Sequence, residues 1–154
     1  MRISAKTDYA IRAVVEMASA GADEDRLVKA EAVADAQDIP LRFLLGILNE
    51  LRHAGIVESR RGAEGGYRLA KPAYAIAIAD IIRAIDGPLA NVGGMRPDRL
   101  KLTGSAEPLR DVWISLRSSI RSVLEHVTVA DIVAGKLPEE VTELTKSEDA
   151  WLPH

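Results

Sequence analysis

Three stretches near the start of the chain space their apolar residues as amphipathic helices do. The pattern predicts helices over residues 4–19, 29–36 and 41–54, and Pro40 suits the first turn of the third. The second and third helices are separated by the short gap of a helix-turn-helix, and Asp38 in that gap tolerates the left-handed backbone of such a turn. The core stripe of the third helix is Leu44, Ile47, Leu48 and Leu51. These elements predict a helix-turn-helix.

Two short runs of β-forming residues follow the third helix, at positions 56–60 and 67–69. The residues between them, 61–66, include three glycines and predict a hairpin with a long tip. A helix-turn-helix followed directly by a basic, glycine-rich hairpin is a winged helix. The order of the elements carries this prediction, since either half alone would be a weak signal.

The second half of the chain predicts one long amphipathic helix between shorter elements. A helix over 79–85 and an irregular loop over 89–106 precede a helix over 107–126, and Thr128 caps a short helix over 129–134. The acidic tail beyond can add a further turn or two of helix. The apolar stripe of the long helix is Leu109, Val112, Trp113, Leu116, Ile120, Val123 and Leu124. A small N-terminal domain is too short to cover this stripe, so we expect a second copy of the chain to bury it.

The composition excludes several kinds of chemistry. The 154 residues are 47% hydrophobic and 28% charged, and they contain neither a membrane-spanning run nor an apolar signal core, so we expect a cytoplasmic protein. The sequence has no cysteine, which excludes disulfides, thiolate catalysis and cysteine-ligated zinc or iron–sulfur centres. Nothing resembles a Ser-His-Asp arrangement or a catalytic carboxylate pair. We therefore expect no enzyme, no metal and no cofactor.

Charge is distributed unevenly along the chain. The net charge of −3 argues weakly against a nucleic-acid partner. However, residues 39–72 carry six basic and three acidic side chains, whereas residues 16–38 carry two basic and seven acidic ones. A local basic surface is what phosphate binding needs, although a solvated charged face would have the same composition.

The face of helix 41–54 opposite its core stripe carries candidate base-reading residues. Arg42 can pair with guanine, Asn49 with adenine, and Leu45 can contact a thymine methyl group. Gly46 lets the helix lie close to the groove. The alternative is a solvated face without a ligand, and Asn49 also suits a phosphate or solvent contact.

The hairpin and the start of the first helix carry candidate backbone contacts. Arg60 and Arg61 precede the tip and suit a narrow minor groove, while Arg68 on the return strand suits phosphate. Gly65 and Gly66 narrow the tip, and ordinary turn chemistry is compatible with that role. Three further residues suit phosphate at the start of the first helix, where Ser4 is also an ordinary N-cap candidate: Arg2, Ser4 and Lys6.

These residues predict double-stranded DNA as the partner, read as a palindromic operator by a homodimer. The fold class is mainly α with a small β-wing: a winged helix-turn-helix plus a long C-terminal dimerisation helix. We divide the chain into a DNA-binding domain (1–87), a loop and candidate effector region (88–106), dimerisation helices (107–135) and an acidic tail (136–154).

Several segments together resemble one known family. Residues 1–12 (MRISAKTDYAIR), 51–59 (LRHAGIVES) and 80–87 (DIIRAIDG) match it, and the most specific match is residues 61–70 (RGAEGGYRLA). The sequence is similar to the Rrf2 family of bacterial winged-helix regulators over nearly the whole chain to residue 135. The resemblance implies homodimers that bind inverted-repeat operators, mostly as repressors, with long C-terminal helices crossing in the dimer.

The sequence departs from that family in the loop before the long helix. Several members hold an iron–sulfur cluster there on three cysteines, at places that fall near Met95, Lys101 and Glu107 of this chain. The resemblance is therefore to a cysteine-free branch, which responds to metabolites or protein partners. Two alternatives remain open: a regulator whose loop 89–106 binds a small effector or protein partner, and an adaptor that uses a winged helix without DNA.

Overall fold

The computed structural model describes residues 3–22 and 26–153, and it is mostly helical with one two-stranded sheet. The fold class predicted from the sequence is confirmed. The helices and strands are α1 (Ala5–Ser19), α2 (Ala30–Gln37), α3 (Leu41–His53), β1 (Val57–Arg60), β2 (Gly66–Leu69), α4 (Ile78–Asp86), α5 (Leu109–Leu124), α6 (Val129–Ala134) and α7 (Glu139–Leu144). Single 3₁₀ turns lie at Ala73–Ala75, Pro97–Arg99, Gly104–Ala106 and Glu148–Trp151.

Local chemistry explains where the first three helices begin and end. Ser4 caps α1, because its Oγ accepts a hydrogen bond from the backbone N–H of Thr7 at 3.1 Å. Asp38 ends α2 in the left-handed region with a φ of 51°, and Gly55 follows α3 with a φ of 71°. Helix α2 lies one residue later than predicted because Lys29 takes the N-cap position.

The core forms around α1, which packs against α2, α3, α4 and α6. Its largest members include Met17, Leu44, Leu48 and Leu51, which are completely buried. The core stripe predicted for α3 is therefore correct. Burial of this apolar surface fixes α3 with its other face outward.

Helix α6 belongs to this core although it follows α5 in the sequence. Val129 at its first position is completely buried, and its backbone N–H donates to the carbonyl of Ile76 at 2.9 Å. The backbone N–H of Ile78 donates in turn to the carbonyl of Val127 at 2.9 Å. The sequence-based division groups residues 107–135 as dimerisation helices. In the structure, the short apolar face of α6 packs against α1 of its own chain.

The hairpin forms a wing beside α3. Strands β1 and β2 are antiparallel, with Glu58 opposite Arg68 and Arg60 opposite Gly66. Val28, just before α2, bridges to Tyr67 through two backbone hydrogen bonds of 2.8 Å and so ties the wing to the helical core.

Helix α5 differs from the prediction in its ends and in its surroundings. It begins at Leu109, two residues later than predicted, after Pro108 at the N-cap position, and it ends at Leu124. None of its residues is buried. The loop of residues 88–106 contains two short 3₁₀ turns, of which the turn at Pro97–Arg99 packs against α5. No helix in the described part of the chain is long and apolar enough to cross a membrane.

Candidate nucleic-acid interface

The outward face of α3 presents an open surface near its N-terminus. Arg42 is exposed and makes no hydrogen bond or ion pair with any residue that the structure describes. The Leu45 side chain is 43% exposed, and a Cβ added to Gly46 would meet no atom within 4 Å. These three residues share one face, so a groove can approach α3 here without displacing a protein contact.

Further along α3, the polar side chains are already engaged with one another. The Asn49 Oδ1 accepts a hydrogen bond from Nη2 of Arg52 at 2.9 Å. His53 Nδ1 lies 2.7 Å from the carbonyl oxygen of Asn49. An adenine contact by Asn49 would have to replace the bond from Arg52, which makes Asn49 a weaker candidate than Arg42.

The wing carries two exposed cations next to its tip. Neither the Arg60 nor the Arg61 side chain makes a hydrogen bond or ion pair within the described residues. The tip itself is held in place, because Lys29 Nζ donates to the carbonyl of Ala63 at 2.7 Å and Gly65 N–H donates to Gly62 at 2.9 Å. The sequence analysis missed Lys29, although a lysine at a helix N-cap position, where its charge opposes the helix dipole, is an unusual choice.

Gly65 and Gly66 shape the wing from inside. A Cβ at Gly65 would lie 2.1 Å from the carbonyl oxygen of Arg60, and one at Gly66 would lie 2.7 Å from that of Val28. Both distances are too short for any side chain. The two glycines therefore let β2 return close to β1 and to the segment before α2, and this close return holds Arg60 and Arg61 at the edge of the wing.

The residues proposed for phosphate contact have partners within the protein. Lys6 Nζ lies 2.7 Å from Oε1 of Glu50, and Arg68 Nη2 lies 2.9 Å from Oε2 of Glu58. Ser4 is used as the N-cap of α1. Each of these side chains would share its charge or hydroxyl group between phosphate and an existing partner. Arg2 lies outside the described residues.

Two contacts at the junction of α1 with the helix-turn-helix were not identified from the sequence. Phe43 is 43% exposed and packs edge-to-face on Tyr9, with ring centroids 5.8 Å apart at an angle of 81°. Arg12 donates to the carbonyl of Gln37, and its guanidinium lies 5.4 Å from the centre of the Tyr9 ring. These contacts fix the position of α3 relative to α1. The pairing of positions between different helices gives no signal in a single sequence.

Comparison with protein-family models decides the family. The model described as "Rrf2: Iron-dependent Transcriptional regulator" matches residues 3–135, which is most of the chain. The chain belongs to the Rrf2 family. Its relatives are transcriptional regulators rather than enzymes, and this Rrf2 protein is a DNA-binding regulator with a winged-helix fold.

Curated relatives match this Rrf2 protein over nearly its full length. Rv1287 of Mycobacterium tuberculosis (strain H37Rv), whose name assigns it to the HTH-type transcriptional regulators, is 49% identical over 144 residues, covering 94% of this chain and 88% of the relative. The HTH-type transcriptional regulator CymR of Bacillus subtilis is 31% identical over 135 residues, covering 87% and 91% respectively.

Solved structures of Rrf2 proteins share the fold. CymR, the global cysteine regulator of B. subtilis, superposes with a TM-score of 0.71 at 29% identity, covering 88% of this chain and 98% of that one. IscR of T. potens superposes with a TM-score of 0.67 at 28% identity, covering 100% and 93% respectively.

The family description names iron, so the donor set of this Rrf2 chain is relevant. Iron–sulfur clusters are held by thiolates, and the sequence has none. The described residues contain no group of three or more His, Asp or Glu side chains that could hold a metal ion. At the positions where the resemblance implies cysteines, Met95 is half exposed and Lys101 would oppose a cation. The residues of this chain do not fit an iron–sulfur group.

Proposed function

We propose that this Rrf2 protein is a homodimeric, sequence-specific repressor that reads a palindromic operator through α3 and the wing. The observation that carries the proposal is that α3 and the wing expose three arginine side chains without an internal partner among the described residues: Arg42, Arg60 and Arg61. A helix-turn-helix offers its second helix to the major groove, and the narrow minor groove attracts arginine. Gly46 and Leu45 leave room beside Arg42 for base edges.

The phosphate contacts of the proposed complex are divided between α1 and the wing. Lys6 and Arg68 each pair with one carboxylate, so they contribute position and part of their charge at the edge of the site. Ser4, two residues after Arg2, contributes through the N-terminus of α1. Gly65 and Gly66 act indirectly, through the shape of the wing.

The dimer in this proposal is formed by α5. Its exposed apolar side chains include Val112 at 54% and Leu116 at 44% exposure, which is unfavourable for a monomer in water. The predicted interface is Leu109, Val112, Trp113, Leu116, Ile120, Val123 and Leu124, of which Ile120 and Leu124 also touch the core of their own chain. Two-fold symmetry then sets two copies of α3 on successive half-sites about 34 Å apart, or a multiple of that.

We further propose that repression does not depend on an iron–sulfur cluster, because the chain lacks thiolate donors. The residues of the candidate effector region favour a bound small molecule or protein partner as the signal. A cleft of about 460 Å³ lies between the segment Ala90–Gly93 and the side chains of Trp113, Leu116 and Ile120. This cleft is contiguous with the dimer stripe, so an effector bound there would act on the dimer.

Selection of bound genomic fragments by the purified protein tests the proposal. We expect enrichment of one inverted-repeat sequence, followed by a mobility shift with that fragment. The double variant Arg60→Gln/Arg61→Gln should lose the shift, and Arg99→Gln/Lys101→Gln, with the same change of charge in the loop before α5, should retain it. Binding of fragments without a common sequence would contradict sequence-specific recognition. No binding to any fragment would favour the adaptor alternative.

A further inference from the structure

Two Arg-Ser pairs lie one helical turn apart on α5, at Arg117-Ser118 and Arg121-Ser122. Residues four apart share a helix face, so the two pairs line one surface. This surface and Pro97–Asp98 of the preceding 3₁₀ turn enclose a cleft of about 450 Å³. Its position on α5 is distinct from that of the cleft at Trp113, and it contributes no residue to the predicted dimer stripe.

The donors in this cleft are incompletely used. Arg117 Nε is buried and has no hydrogen-bond partner among the described residues. The nearby carboxylate oxygen Oδ1 of Asp98 lies 3.9 Å from Nη1 of Arg117, beyond hydrogen-bond range. Ser118 is exposed, and no described residue bonds its hydroxyl group. A buried donor of this kind needs a partner in solution, which a water molecule or a ligand group can supply.

The carboxylates at the edge of the cleft are already neutralised by other arginines. Asp98 is 3.0 Å from Nε of Arg96, and this bond holds the pKa of Asp98 below its ordinary value. Glu125 accepts from Arg121 and from Arg83, which lower its pKa in the same way. Both groups are therefore ionised at neutral pH, and Arg117 has only the 3.9 Å ion pair with Asp98, which Arg96 already bonds more closely. The lining itself holds two arginines and two carboxylates, and Arg83 and Arg96 bond the same two carboxylates from outside the cleft.

We propose that this cleft binds a small organic anion through a carboxylate or phosphate group held by Arg117, Ser118 and the free Nη atoms of Arg121. Two arginines one turn apart stand about 6 Å apart along the helix axis, which suits an anion with two oxyanion groups or one phosphate. The other wall is apolar, formed by Pro97 and Ile114. A short carbon frame can lie against it.

The same cleft is connected to the DNA-binding domain. Glu125 bonds Arg121 on α5 and Arg83 on α4, so one carboxylate links the cleft to the helical core. An anion that recruits Arg121 competes with Glu125 and weakens this link, which changes how α5 is held on α4. The regulatory use of the site rests on the proposed function, whereas anion binding itself does not.

Calorimetric titration of the full chain without DNA, with succinate and with inorganic phosphate as probes, tests the site. We expect saturable binding of at least one probe that chloride at equal ionic strength does not reproduce. Arg117→Gln should weaken this binding about tenfold, in keeping with the loss of a charge-assisted hydrogen bond. Arg99 is an exposed residue of the same 3₁₀ turn that does not line the cleft, so Arg99→Gln should leave the binding unchanged.

Ser118→Ala provides a second variant if Arg117→Gln does not fold, because Ser118 makes no hydrogen bond to any described residue; we expect weaker binding of the same probe. Equal heats for the wild type, Arg117→Gln and Arg99→Gln, or equal heats with chloride, would overturn the site. The operator affinity measured with and without the bound probe tests the link to α4. A saturating probe that leaves operator affinity unchanged would overturn the regulatory role and leave the DNA-binding proposal intact.

Discussion

Helices α3 and α5 are equally amphipathic, yet the chain treats them differently. In α3, Leu44 and Leu48 are completely buried against α1 and α4. In α5, no residue is buried, and Leu116 retains 44% of its exposure. The first helix has its apolar partner within the chain. The second leaves its apolar stripe exposed or half-buried, and we propose that a second copy of the chain covers it. An amphipathic pattern predicts that the apolar face of a helix will be buried. It does not predict whether the same chain or a second molecule buries it.

The largest expected effect is on α5, the helix whose apolar stripe is exposed or half-buried. Leu116→Glu together with Ile120→Glu should give monomers, because burial of unpaired carboxylates in an apolar interface is strongly unfavourable. Operator affinity should fall to the non-specific level, about 10³-fold or more weaker. Sedimentation and a mobility shift measure the two effects.

Ser115→Glu together with Ser119→Glu is the matched control, since it adds the same charge to exposed positions of α5 outside the stripe. We expect it to remain dimeric and to bind the operator. A wild-type protein that is already monomeric at micromolar concentration would refute the role assigned to α5.

The next effect separates an internal core from an intermolecular one. Leu48→Ala should lower the free energy of unfolding by about 2–5 kcal/mol, because it leaves a cavity in a closed core. The loss should be independent of protein concentration. Leu116→Ala should instead lower stability by an amount that depends on concentration, since it weakens association. Chemical denaturation at two protein concentrations distinguishes the two variants. If the loss of stability depends on protein concentration in neither variant or in both, the contrast between α3 and α5 is wrong.

Most of the fold could be predicted from two sequence signals: the helical spacing of apolar residues, and the Pro, Asp and Gly residues that interrupt it. Pro40, Asp38 and Gly55 identify the ends of α2 and α3 because backbone geometry is a property of single residues. The return of α6 to α1 could not be predicted, since a six-residue apolar face fits many partners. The ion pairs of Lys6 with Glu50 and of Arg68 with Glu58 could not be predicted either, because each joins residues of two different elements. The exposed face of α3 was more predictable, because it is the complement of a clear core stripe.

A smaller effect tests what the outward face of α3 reads. Arg42→Ala should cost about 1–3 kcal/mol in operator binding and relax the preference at one base position, as loss of a bidentate base contact does. Its affinity for random DNA should change much less. Competition binding with operator variants measures this, and an equal loss on operator and random DNA would show that Arg42 contacts phosphate only.

Lys6→Ala is expected to have a smaller effect without sequence preference. Its ammonium group is shared with Glu50, so its removal should lower the slope of log affinity against log salt by about one unit or less. Glu50→Gln releases Lys6 and should raise affinity for all DNA sequences. An unchanged salt dependence in both variants would remove Lys6 from the interface.

For iron, the expected effect is none. A cluster in the loop before α5 would be another way to hold that helix, but soft, sulfide-bridged iron requires thiolates, and this chain offers Met95, Lys101 and Glu107 at the corresponding places. His126 lines a cleft together with Pro97 and Asp98, but one imidazole cannot replace a set of thiolates. Protein purified without oxygen should therefore be colourless and bind its operator equally well with or without nitric oxide or peroxide. A visible absorption band with stoichiometric iron and sulfide would contradict this prediction.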